Sequence, residues 1–230
     1  MSNLSIAELR PIAIVIVAAG LSGAGACGDN KLGPNTSASV SIVSGDAQTI
    51  LVGDRSSQPL VVEVKNSDGS PLANIPVAWS VVSGGGSLQP IFDTTDVNGK
   101  ASASYLTPAI AGFAKVNAVA GSQVRTFTIT LAADTVGSIH AFGGDGSAAL
   151  VGVQLTLIAK ATDRFGNAMS GVEVNWSTTS GVLQLPTSTT DTAGKASNVV
   201  TVGPDTGRVT IQASSRFNAV TFTVTALPAN

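Results

Sequence analysis

Apolar and polar residues alternate with a period of two in run after run of this chain. Ile75, Val77, Trp79 and Val81 share one side of such a run; Val172, Val174, Trp176 and Thr178 share one side of another, with Glu173 and Asn175 facing away. Ala114, Val116 and Ala118 alternate with Lys115 and Asn117, and Val209, Ile211 and Ala213 alternate with Thr210 and Gln212. RTFTITL (Arg125–Leu131) and VTFTVTA (Val220–Ala226) set Phe, Ile or Val against Thr in the same rhythm. A period of two is that of a strand with one buried face, and it predicts antiparallel sheets packed face to face. Val and Thr suit strands, and the glycines and prolines punctuate them. No 3.6-residue stripe follows the first few dozen residues, so helices are expected to be minor.

The pattern occurs twice. TTDVNGKAS (Thr94–Ser102) returns as TTDTAGKAS (Thr189–Ser197), each behind a tryptophan, in NIPVAWS (Trp79) and GVEVNWS (Trp176). From Leu88 to Leu131 the second copy lies 95 positions on, so that Gly99 meets Gly194 and Phe127 meets Phe222. Upstream the shift is 97 (Gly69 to Gly166, Trp79 to Trp176), and earlier still 99 (Gly53 to Gly152). The length changes fall in Gly/Ser/Pro stretches, where surface loops tolerate them. Two copies of one small domain follow.

About seven short strands per copy, turns every eight to twelve residues and a Trp in the third strand predict an immunoglobulin-like sandwich. The fold class is all-β: two tandem immunoglobulin-like antiparallel β-sandwich domains, residues 38–132 and 136–226, after an N-terminal signal segment. Trp79 and Trp176 are the expected core plugs. Neither copy has cysteines for an inter-sheet bridge, so packing alone must hold each sandwich.

Residues 1–26 stand outside the repeat. A polar start with Arg10, the apolar run PIAIVIVAAGL and the small residues Ala24-Gly25-Ala26 form a secretory signal pattern, too short and too rich in Gly and Ala for a comfortable bilayer span. Cys27, the sole cysteine, follows at once. The site resembles a bacterial lipobox, in which that cysteine carries lipid, although Ala24 stands where such boxes usually have Leu. The alternative is ordinary cleavage that leaves Cys27 unmodified. Lipid on Cys27 would anchor the protein to a membrane without a crossing helix. Residues 28–37, GDNKLGPNTS, lack apolar periodicity and form a tether spanning on the order of 17 Å as a coil.

The order N-S-D-G-S-P-L-A-N-I-P-V-A-W, then T-T-D-V-N-G-K-A, then A-G before the penultimate strand, resembles the bacterial Ig-like repeats of invasin and intimin. The second copy reads D-R-F-G-N-A-M-S-G-V-E-V-N-W and T-T-D-T-A-G-K-A, and the likeness covers nearly all of residues 38–226. It implies an extracytoplasmic β-sandwich used as a stalk or adhesion module. In intimin and invasin recognition lies beyond the Ig-like stalk, so this chain is expected to supply the stalk without the tip.

Chemistry is sparse. His140 has no nucleophile patterned with it and reads as a surface strand residue. Asp68, Asp96, Asp163 and Asp191 border Gly turns and offer too few carboxylates together for calcium, so Asx turns are the expected role. Lys100 and Lys195 follow the same turn glycine in both copies, which suggests a role in the fold. A net charge of −2 gives no basic surface for nucleic acid. No catalytic residue, cofactor or metal is assigned, and the chain is not expected to be an enzyme. The leading function is a cell-envelope Ig-like lipoprotein with a structural, stalk or adhesion role, exported, anchored by lipid and monomeric, with a cell-surface protein or polysaccharide as partner. A glycan- or protein-binding surface module is the alternative, with Phe92, Phe142, Phe165 and Phe217 as sparse aromatic candidates. Accessory domains of an enzyme system are a distant third.

Topology adds one expectation about the joint. In an Ig-like sandwich the chain comes in beside the second-to-third and sixth-to-seventh strand turns and leaves from the opposite end. In the second copy those turns, Asp163–Gly166 and Ser214–Asn218, both hold an Arg-Phe pair; in the first copy, Asn66–Gly69 and Val119–Gln123 have no aromatic. Phe165 or Phe217 is therefore expected to pack near the connector Ala132–Val136 and the loops Ser83–Ser87 and Thr107–Gly112. The rival expectation is that both rings form an exposed binding patch.

Overall fold

The computed structural model describes residues 38–135 and 137–229. The signal segment 1–26, Cys27 and the tether 28–37 lie outside the described residues. Among the described residues every regular element is a strand. The first sandwich contains β1 (Ser39–Ser44), β2 (Thr49–Leu51), β3 (Leu60–Lys65), β4 (Ala78–Ser83), β5 (Ser87–Phe92), β6 (Lys100–Leu106), β7 (Gly112–Ala120) and β8 (Gln123–Ala132). The second contains β9 (Gly137–Gly143), β10 (Ala148–Leu150), β11 (Gln154–Asp163), β12 (Glu173–Thr178), β13 (Val182–Leu183), β14 (Thr187–Thr189), β15 (Lys195–Thr201), β16 (Gly207–Ser214) and β17 (Ala219–Leu227). The sheets run β1-β3-β6-β5 against β2-β8-β7-β4, and β9-β11-β15-β13 against β10-β17-β16-β12-β14.

The strand number exceeds seven per copy for two physical reasons. In both copies the first strand breaks and changes sheet, so that β2 and β10 run parallel to β8 and β17. The break sits at Gly45 and Gly144, both at φ +88°, where a Cβ would lie 2.5 Å from the carbonyl oxygen of Pro59 or Thr156. Only glycine fits there. The next residue then stitches the crossing to the far sheet: Asp46 accepts from the Thr128 amide and Asp145 from the Thr223 amide, each at 2.8 Å.

The second reason is confined to the second copy. There the run after β12 divides, β13 pairing with β15 and β14 with β12. Buried Asn198 fills the gap, accepting from the Leu185 amide at 3.1 Å and donating to its carbonyl at 2.7 Å. Ala103 holds the matching place in the first copy, where β5 stays paired with β6.

Each sandwich has its own core. Val62, Val64, Ala114, Val116, Phe127 and Ile129 are fully buried in the first; Leu157, Ala159, Val174, Ile211, Phe222 and Val224 are in the second. Trp176 is 6% exposed, its ring centroid 5.8 Å from that of Phe222, and its Nε1 donates to Ser188 Oγ at 2.8 Å. Trp79 makes the same tilted contact with Phe127 at 5.8 Å. It is only partly buried, however, and its Nε1 has no hydrogen-bond partner. The difference follows from the split strand, because Ser188 reaches Trp176 from β14, and the first copy pairs no such strand with β4.

The doubled TTDxxGKA run is a turn that fastens two loops. Thr95 and Thr190 are buried; their hydroxyls donate to Leu72 and Met169 carbonyls at 2.6 Å and accept from the Ile75 and Val172 amides at 2.9 Å. Asp96 accepts from the amides of Asn98 and Lys100, and Asp191 from those of Ala193 and Lys195. These are Asx turns that set up β6 and β15. The Asp96 carboxyl lies below the usual value, chiefly through the Lys100 amide.

Candidate functional site

A dense polar constellation joins the two sandwiches. It begins with Asp163, the last residue of β11, whose side chain falls on the inward side and is 4% exposed. Its Oδ1 closes the DRFGN turn by accepting from the Phe165 and Asn167 amides at 2.9 and 2.8 Å. Oδ2 accepts from the Asp134 amide of the connector and from Asn167 Nδ2, both at 2.9 Å. Burial alone would raise this carboxyl. The hydrogen bonds from the Asn167 side chain and from the Asp134, Asn167 and Phe165 amides outweigh it, and the group sits below the ordinary carboxylate value.

Asn167 carries the contact into the first sandwich. Its Nδ2 donates to the Ala109 carbonyl at 2.8 Å, and its Oδ1 accepts from the Ala111 amide at 2.9 Å. One amide thus grips both polar groups of the loop before β7. That loop is itself fixed, since Thr107 Oγ1 donates to the carbonyls of Leu51 and Asp54. Arg164 Nε lies 2.6 Å from Asp134 Oδ2, which ties the turn to the connector a second time.

The apolar part lies on either side. The Phe165 ring approaches Gly53, where a Cβ would stand 3.2 Å from Cζ of the ring; at Gly152, the matching glycine of the second copy, nothing lies within 4 Å. Phe165 remains 42% exposed, with the Arg164 guanidinium 4.8 Å from its centroid. Phe217 is partly buried and packs with Ala133 of the connector on Ala161, Met169 and Val172. Asn218 holds the start of β9, exchanging hydrogen bonds of 2.7 and 3.0 Å with the Ile139 backbone. A cleft of about 370 Å³ opens beside the connector, with Asp134, Met169 and Arg216 in its wall.

Other candidates stand apart from this joint. Phe92 and Phe142 are 59% and 49% exposed on β5 and β9, on different sandwiches. His140 is exposed on β9. Asp68 closes its own Asx turn, with its carboxyl lowered first by the Ser70 hydroxyl and then by the Ser70 amide. Among the described residues no three His, Cys, Asp or Glu side chains cluster as a metal site. The sequence pointed to the Arg-Phe pairs of the two turns. Asn167, Asp163 and Gly53 carry the contacts between the domains as much as the rings do, and only the departure of DRFGN from its counterpart NSDGS hinted at them.

A pH dependence follows from the Asp163 geometry. Its native carboxyl titrates below the unfolded value of about 3.9, so its contribution is present above that pH and lost as pH falls through the lower native value. Hydrogen-exchange protection of the connector amides, Asp134 above all, is expected to hold from pH 7 to 5 and to fall below about pH 4. Asp163→Asn should shift or abolish that step.

No protein-family model matches this sequence, and no curated protein matches it. Solved structures do. FdeC, an Escherichia coli adhesin, aligns over 82% of this chain and 63% of its own with a TM-score of 0.61 and 19% identity. Yersinia pseudotuberculosis InvD aligns over 83% of this chain and 58% of its own, with a TM-score of 0.54 and 19% identity. The shared property is the fold. This chain spans less than two thirds of either structure.

Proposed function

We propose that the protein is an exported stalk or adhesion module of the bacterial cell envelope, held to a membrane by lipid on Cys27 and stiffened at the joint between its sandwiches. The observation that carries this reading is the Asn167 grip on Ala109 and Ala111, backed by Asp163 on the connector. Free tandem domains need no such contact, and inter-domain motion is the default where an interface is small. A module that holds something away from a surface gains from a fixed joint. The similarity in fold to FdeC and InvD supports the same reading. In this reading Phe165, against Gly53, and Phe217, against the connector, brace the joint.

The anchor is tested by metabolic labelling with a fatty acid in a bacterial host. Wild-type protein is expected to take up label and to fractionate with membranes, and Cys27→Ser to do neither. Equal fractionation of both without label would remove the anchor from this reading.

A further inference from the structure

The outer face of the β9-β11-β15 sheet carries a charge arrangement that the first sandwich lacks. His140 lies opposite Lys160 across β9 and β11, and Lys160 opposite Lys195 across β11 and β15. Three strands thus place three nitrogen bases in one row, neighbours about 4.8 Å apart in the strand-to-strand direction. The row at the same place in the first sandwich is Ser41, Glu63 and Lys100. There Glu63 stands opposite Lys100, the one cation of the row, and pairs with Lys65 of its own strand at 2.7 Å. In the second copy Lys160 stands in place of Glu63 and Thr162 in place of Lys65.

Like charges directly opposite one another on a sheet are destabilising, and here no carboxylate compensates them. Neither Lys160 nor Lys195 forms an ion pair among the described residues. Asp191, four residues before Lys195, turns its Oδ1 to the backbone amides of Ala193 and Lys195, and Asp163, three residues after Lys160, turns its carboxylate to the joint. Phe142 does the holding instead. It is the extra residue of a β-bulge, since Gly143 pairs with Ile158 and Ala141 with Ala159. A bulge re-aims a side chain, and the ring meets Lys195 Nζ at 4.3 Å and Lys160 Nζ at 5.4 Å from its centroid. Val43 occupies the matching bulge of the first sandwich and offers no such seat. One half-exposed ring thus gathers two ammonium groups beside an exposed imidazole.

We propose that this face binds a carboxylate-bearing polysaccharide through Lys160, Lys195 and His140, with Phe142 fixing the two ammonium groups. The site is flat and open to water, where a single small anion is held weakly and is screened within about 8 Å at physiological ionic strength. A polymer engages the row together and gains from multivalency. A bilayer-docking face would add apolar side chains for insertion, and the one ring here is occupied by the ammonium groups. Two ammonium groups and an imidazole on a chain of net charge −2 do not make a nucleic-acid surface. The proposal rests on the envelope reading only for where such a polymer is met; binding by purified protein succeeds or fails independently of Cys27 acylation.

The test is titration of the purified full chain with polygalacturonate, with neutral dextran, inorganic phosphate and anionic phospholipid vesicles alongside. Binding of polygalacturonate that weakens about tenfold or more in Lys160→Glu, and several-fold in Phe142→Val, is the expected result, with Lys115→Glu on the first sandwich unchanged. Thermal melting of Lys160→Glu, which restores the cross-strand Glu–Lys pair of the first copy, should show a folded second domain. Should that variant not fold, Lys195→Gln carries the same expectation. No binding by the wild type, equal binding of dextran, or undiminished binding by the variants would overturn the proposal. So would preference for vesicles or for phosphate alone.

Discussion

Trp176→Ala is expected to unfold the second sandwich at or near growth temperature while leaving the first folded. The ring is 6% exposed, lies against Phe222 and donates to Ser188, so its removal leaves a large cavity and an unfilled hydrogen bond. Truncating a buried Trp costs about 3–5 kcal/mol, against roughly 5–15 kcal/mol for a whole domain. Because about 1 kcal/mol moves the midpoint of so small a domain by roughly 4–8 °C, the transition should fall by more than ten degrees. Trp79→Ala should cost the first sandwich less, since that ring is only partly buried and its Nε1 bonds to nothing. Differential scanning calorimetry checks both: each variant should lower one of two transitions. An unchanged thermogram for Trp176→Ala would mean that the ring does not plug the core.

Substitutions at the joint should act differently. Asn167→Ala deletes two hydrogen bonds to the Ala109–Ala111 loop and one to Asp163. At about 0.5–1.5 kcal/mol net for each, the two bonds that cross to the first sandwich take on the order of 1–3 kcal/mol from the docking. Neither core is touched, so both melting transitions should stay near their wild-type temperatures while the domains gain freedom. Asp163→Ala is expected to be harsher. It strips partners from the amides of Asp134, Phe165 and Asn167, and buried donors left unsatisfied cost about 1–3 kcal/mol each. That variant should both free the joint and lower the second transition. If Asn167→Ala moved a melting transition and left inter-domain mobility unchanged, Asn167 would be a residue of the second core rather than of the joint.

Much of the fold could be read directly from the residues. The alternation in RTFTITL and VTFTVTA assigns Phe127, Ile129, Phe222 and Val224 to the cores, and the doubled turn motif gives the repeat. The split first strand was not visible, because Gly45 and Gly144 look like any loop glycines until Pro59 and Thr156 are folded against them. The division of β13 from β14 depends on Asn198, the polar residue on the buried face of β15 between Ala196 and Val200, whose partner lies 13 positions away. Local pattern cannot supply either. At the joint, the Arg-Phe pairs are a local signal in the two turns, whereas Asn167 acts through a loop 58 residues upstream. The cationic row is a matter of cross-strand register, invisible until β9, β11 and β15 are aligned. Lys195 shows both layers: its amide belongs to the Asx turn shared with Lys100, and its side chain reaches Phe142, a partner that the first copy does not have.

The central claim is that Asp163 and Asn167 fix the two sandwiches to one another in a stiff pair. Residual dipolar couplings of the backbone amides, measured for both domains of the wild type in one aligned sample at pH 7, test it most directly. A single alignment tensor should fit β1–β8 and β9–β17 together, with Asn167→Ala needing two. Separate tensors of unequal magnitude for the wild-type domains would contradict the fixed joint and with it the stalk reading.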